Sequence, residues 1–158
     1  TVVDGPESAE AVALSLAAAQ PGRLSRTSIS GALTEALRQF ARSPYSSPRR
    51  VIDVSGDGPQ IGGRSLDLIR DRTVAQGITI NALVVANRSV NAGPLGQPLE
   101  EHYRLDVIGG LGAFVVVADE TSGFTDTLLG KMIREIADRS PTGEPQVQFA
   151  RDALAPAD

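Results

Sequence analysis

At 158 residues the chain fits one domain, and 41% hydrophobic residues supply enough apolar surface for a core. A formal charge of −4 and a pI near 5.0, with no long run of Lys or Arg, leave no basic footprint for nucleic acid or an anionic membrane surface. Cysteine is absent, which excludes disulfides and thiolate metal sites. No apolar run reaches the roughly 18 to 20 residues of a membrane-spanning helix, so a soluble chain without membrane insertion is expected.

The opening Asp4-Gly5-Pro6-Glu7-Ser8 carries turn formers, an early proline and an acid. Ala9, Val12, Leu16 and Ala19 follow at helical spacing, which predicts a first helix ending near Gln20-Pro21-Gly22. Ile29, Leu33, Leu37 and Phe40 share one face of a second helix, with Ser28 or Ser30 placed to cap its free N–H groups. Val51-Ile52-Asp53-Val54-Ser55 reads as a short strand stopped by Gly56-Asp57-Gly58-Pro59. A capped helix is expected over 65–76, with Leu66, Ile69 and Thr73 on one face and Gly77 as a left-handed stop. Residues 78–85 are nearly continuously apolar, as a parallel strand covered on both faces must be.

A Gly/Pro/Asn-rich loop over 87–98 leads into a short helix over 99–107, placed with its His102 exposed beside Glu100 and Glu101. Gly109 and Gly110 break that helix, and 113–118 forms a third buried strand. The last helix, 124–137, is patterned by Phe124, Leu128, Met132, Ile133 and Ile136, and Lys131 and Arg134 suit its C-terminal dipole. The Pro-rich, apolar-poor residues 138–158 are expected to be a flexible tail. Strands alternating with helices imply right-handed parallel crossovers. The expected class is therefore α/β, a three-layer α/β/α arrangement: a partial Rossmann-like open parallel sheet with helices on both faces, occupying 1–137.

Four stretches carry a family resemblance: Thr27-Ser28-Ile29-Ser30-Gly31-Ala32-Leu33, the strand and turn from Arg49 to Pro59, Gly77-Ile78-Thr79-Ile80-Asn81-Ala82-Leu83, and the run from Val107 through Gly109-Gly110-Leu111-Gly112 to Ala118. Together and in this order they resemble the DUF1194 family of bacterial proteins, which has a von Willebrand factor A-like fold. That fold carries a metal-ion-dependent adhesion site, in which a divalent cation above the strand ends is completed by a partner's acidic side chain. The resemblance implies that Thr27 and Asp57 correspond to two of its ligand positions, with Ser28 and Gly58 beside them, and that the ion is Mg²⁺ or Mn²⁺. The third piece, an Asp-x-Ser-x-Ser stretch after a first strand, does not occur in these residues. Either the sequence is a piece of a longer domain or a partner supplies the rest, and neither metal is expected to bind tightly to this chain alone.

In a sheet ordered 3-2-1-4-5-6 the strand 51–55 would normally be central. Without the first three strands it becomes an edge, which is expected to recruit a second copy or a separate N-terminal piece. The resemblance further implies periplasmic or secreted placement.

The functional expectation is a noncatalytic protein-interaction module. The competing expectation is a small-molecule binder or an enzyme using a cleft above Asp57, Gly58 and Asn81, since strand C-terminal ends are where open α/β sheets bind ligands. Against catalysis, Ser55 has no Gly-x-Ser-x-Gly elbow and no histidine partner in view. Asp53 is expected to be structural, neutralised by Arg49, Arg50 or loop amides. Gly109-Gly110-Leu111-Gly112 precedes a strand, so its amides are not aimed at a pyrophosphate. Plainer roles remain open for the adhesion-site residues: Thr27 as a helix cap and Asp57 as a turn former.

Overall fold

The computed structural model describes residues 1–19, 27–86, 92–119, 123–137 and 146–149. Its elements run α1 (Pro6–Ala18), α2 (Ile29–Arg42), β1 (Arg50–Gly56), α3 (Leu66–Ala75), β2 (Ile78–Val85), α4 (Leu99–His102), a π-helical turn (Tyr103–Val107), β3 (Phe114–Ala118), α5 (Phe124–Ala137) and β4 (Gln146–Phe149). The strands form one parallel sheet in the order β1-β2-β3-β4. β1 lies along β2 in unbroken register from Arg50↔Ile78 to Gly56↔Val84. No described strand flanks its other side, so β1 takes the edge position expected for 51–55.

Alternation along the strands decides which helix covers which face. Ile52, Val54, Ile80, Ala82, Val84, Val115 and Val117 point to the larger core, joined by Ile29 and Leu33 of α2, Leu66 and Ile69 of α3, and Leu99, Tyr103 and Val107. Leu83, Phe114, Val116 and Ala118 point to the opposite face, where Leu128 of α5 packs. Helices therefore cover both faces, and β2 is buried on both sides, as its apolar run requires. Each fully buried Leu, Ile or Val side chain contributes about 1.5–3 kcal/mol.

Local chemistry explains the boundaries. Ser28 caps α2 by accepting from the Gly31 N–H at 3.2 Å. α3 buries the three residues expected of it, Leu66, Ile69 and Thr73, and Gly77 ends it at φ +70. Gly110, at φ +95, lets the segment before β3 press against β2: a Cβ there would lie 2.9 Å from the Thr79 Cα. Gly109 bridges Ile80 through hydrogen bonds of 2.8 and 3.2 Å. These glycines serve backbone packing.

α1 forms as expected, with Pro6 in its first turn, and buries none of its residues; its Ala-rich sequence favours helix by propensity and has no distinct apolar face. Three expectations need correction. Apart from Leu128, which packs on the sheet, the expected apolar face of α5 points outward. Leu129, Met132, Ile133 and Ile136 are exposed, while Thr127 and Lys131 face the sheet at 2% exposure. His102 is buried, not exposed. Finally, 146–149, placed in the expected tail, pairs parallel with β3 from Phe114↔Gln146 to Val117↔Phe149. The alternation Gln146-Val147-Gln148-Phe149 is too short to stand out as a strand in a Pro-rich surrounding.

Candidate functional site

β1 ends at Gly56 and delivers Asp57 and Gly58 to the rim at the carboxyl end of the sheet. There the following loop is strapped to the start of α2. The Ile61 N–H donates to the Thr27 carbonyl at 3.0 Å, and the Ser28 hydroxyl donates to the Gly62 carbonyl at 2.9 Å. Gln60 makes a two-way contact with Ser30: its side-chain carbonyl accepts from the Ser30 N–H at 3.1 Å, and its amide donates to the Ser30 hydroxyl at 2.8 Å. Gly58 packs so closely on Thr27 that a Cβ would lie 3.3 Å from the threonine Oγ1. Thr27, Ser28 and Gly58 therefore meet where β1 ends, with Asp57 next to Gly58 on the same turn.

A second support comes from below. The Tyr103 hydroxyl donates to the Gly58 carbonyl at 2.9 Å, from a ring that is fully buried. Gly56 is needed for this approach, since a Cβ would stand 2.3 Å from the Tyr103 hydroxyl. Burial, and then the nearby Asp57 carboxylate, push the Tyr103 phenol up to about 12. The Gln60 N–H donates to His102 Nε2 at 3.4 Å, and His102 Nδ1 sits 2.7 Å from Asp106. An acceptor Nε2 fits the tautomer with the proton on Nδ1, shared with the Asp106 carboxylate. Gln60, His102 and Tyr103 are therefore the positioning groups that the sequence reading missed. Nothing in the local pattern marks them, because their partners are 30 to 45 residues distant.

Asp57 itself is exposed and forms no ion pair among the described residues. The donors here are one carboxylate and hydroxyls, of which Ser28 is already donating to Gly62 and accepting from Gly31. No group of three or more His, Cys, Asp or Glu among the described residues is arranged to hold a metal ion. Mg²⁺ surrenders its water reluctantly and needs several hard oxygen ligands, so the residues present do not fit a tightly held cation.

Asn81 does not join this rim. It pairs in register with Asp53, four residues before Asp57, hence roughly 13 Å back along the sheet at the rise of a strand. It lies under α5 in a separate polar cluster. Its side-chain carbonyl accepts from the Phe114 N–H at 3.2 Å and its amide donates to Glu135. Lys131 donates to Glu135 at 2.9 Å and to Asp53, with its ammonium 5.4 Å from the Phe114 ring centre. Lys131, not Arg49 or Arg50, is the counter-ion of Asp53. Those arginines instead donate to the Glu135 and Gln76 carbonyls. The cluster locks α5 onto the sheet and leaves no buried side-chain polar atom unpaired among the described residues.

A family model described as "Protein of unknown function (DUF1194)" matches residues 1–140. No curated protein and no solved structure matches the chain. No helix among the described residues is long and apolar enough to cross a membrane.

Proposed function

The chain belongs to the DUF1194 family, and from that premise we propose that it is a noncatalytic protein-interaction module of the von Willebrand factor A-like type, exported to the periplasm or beyond. The observation that carries this reading is the open side of β1. Seven residues, Arg50–Gly56, pair with β2 on one side and with no described strand on the other, leaving backbone N–H and C=O groups to serve a further strand. The strand leads directly into the exposed Asp57 and the strapped loop behind it, so a docked partner meets both a hydrogen-bonding rail and a carboxylate.

The metal part of the reading is narrower. The turn after β1 offers one carboxylate, Asp57, and a Mg²⁺ or Mn²⁺ ion there calls for further oxygen donors, an acidic side chain of the partner among them. Thermal unfolding of the chain alone should therefore shift no more with either ion than that of Asp57→Ala does. A midpoint rise specific to the unsubstituted chain would contradict this.

Sedimentation velocity over a concentration series tests the interaction role. The chain is expected to self-associate, and the paired substitutions Val51→Lys and Ser55→Lys, which place charge along the edge, are expected to hold it monomeric. A chain that stays monomeric throughout, and equally so with and without the edge lysines, overturns the reading.

A further inference from the structure

Away from the sheet rim, α2 and α3 pack side by side and enclose a groove of about 360 Å³. One face of α2 contributes Leu37, Arg38 and Ala41 to it, and α3 contributes Ile69 and Arg72. Arg64, at the end of the strapped loop, also lines it. Leu37, Ala41 and Ile69 are its apolar lining, and Arg38, Arg64 and Arg72 its charged lining.

The charge in this groove is one-sided. No carboxylate lines it, although the chain as a whole carries a net charge of −4. Arg38 is shared with Glu35 one turn away at 3.2 Å. The guanidinium groups of Arg64 and Arg72 form no hydrogen bond or ion pair among the described residues. By contrast, Arg70, on the neighbouring face of α3, is satisfied by Asp71 at 2.8 Å and by the Leu105 carbonyl at 2.9 Å. Two guanidinium groups without a partner among the described residues, in a groove that also has an aliphatic lining, suit an oxyanion carried on a small apolar stem. Guanidinium forks bind tetrahedral or planar oxyanions through paired N–H donors, while the aliphatic lining takes the hydrocarbon part.

We propose that the α2–α3 groove is a binding site for a small organic phosphate with an apolar group, held by Arg64 and Arg72 with Arg38 at the margin. The site is separate from the Asp57 rim. It nevertheless touches the same loop, because the Gln60 amide that clamps Ser30 also lies 3.5 Å from the Arg64 carbonyl. Occupancy is therefore felt at the backbone of residues 62–64.

Phenyl phosphate, inorganic phosphate and the neutral benzyl alcohol are the probes, titrated at constant ionic strength into uniformly ¹⁵N-labelled protein and followed by amide chemical shifts. Phenyl phosphate is expected to give saturable shifts in α2, α3 and residues 62–64. Inorganic phosphate should move the same amides with weaker affinity, and benzyl alcohol should move none. Arg64→Ala and Arg72→Ala, both exposed changes that leave the core untouched, are each expected to weaken phenyl phosphate roughly tenfold, the gain of a charge-assisted hydrogen bond. Arg104→Ala, at an arginine already beside Glu101, should leave binding unchanged. Leu37→Ser should weaken phenyl phosphate but not inorganic phosphate. Unsaturable shifts spread over the surface, or an equal loss in the Arg104 variant, would overturn the proposal.

Discussion

Single side chains carry more of this fold than the apolar pattern implies. Lys131 is almost fully buried, and burial pushes its ammonium down from the ordinary lysine range, opposed by its hydrogen bond to Glu135. An amine whose folded pKa lies below its unfolded value of 10.5 binds fewer protons in the fold across that interval, so stability rises with pH from the lowered value up to 10.5. Lys131→Met removes both the titration and the pairing of Asp53 and Glu135. It should cost about 2 kcal/mol in urea unfolding at neutral pH, below the range for a fully buried pair because Asp53 is partly exposed. The gap to the natural chain should widen as pH is raised toward 10.5, and a constant gap would refute the assignment.

Tyr103 titrates in the opposite sense. Its phenol is raised from 10.0 to about 12, so its contribution is whole below pH 10 and is lost as pH climbs through about 12. Tyr103→Phe should lose about 1 kcal/mol for the missing bond to Gly58, speed hydrogen exchange in the loop after β1, and abolish this alkaline loss. A variant with unchanged loop exchange would show that Tyr103 does not position the rim.

At the scale of elements, strands and most helices were legible because their burial follows backbone period. β2 could be read as a doubly covered strand from its unbroken apolar run, and α3 from Leu66, Ile69 and Thr73. α5 was legible as a helix but not in its orientation. Its apolar residues outnumber its polar ones, and periodicity cannot reveal that Asp53 and Asn81, on two other strands, draw Lys131 and Glu135 inward. Leu129, Met132, Ile133 and Ile136, spaced i, i+3, i+4, i+7, consequently line the solvent side. Ile133→Glu with Ile136→Glu should change stability by less than about 0.5 kcal/mol, measured by thermal unfolding. A loss on the scale of a core cavity would mean that this face is buried after all. The rim was half legible: Thr27 and Asp57 stand in recognisable local motifs, whereas Gln60, His102 and Tyr103 gain their roles only from long-range packing.

On the scale of the whole molecule, three observations point the same way. α1 has no buried residue, α5 shows its apolar stripe to solvent, and β1 has no described strand along one side. Each is a surface that a folded chain ordinarily covers. The strand is the most specific of the three, since its unpaired groups set direction and register for whatever docks. Hydrogen exchange along β1 at low and at high protein concentration measures this most directly. Amides of Arg50–Gly56 that point away from β2 should exchange fast in dilute protein and become protected as concentration rises, while β2 and β3 stay unchanged. Protection of the whole strand already complete in dilute monomer, or none gained at high concentration, would contradict the account.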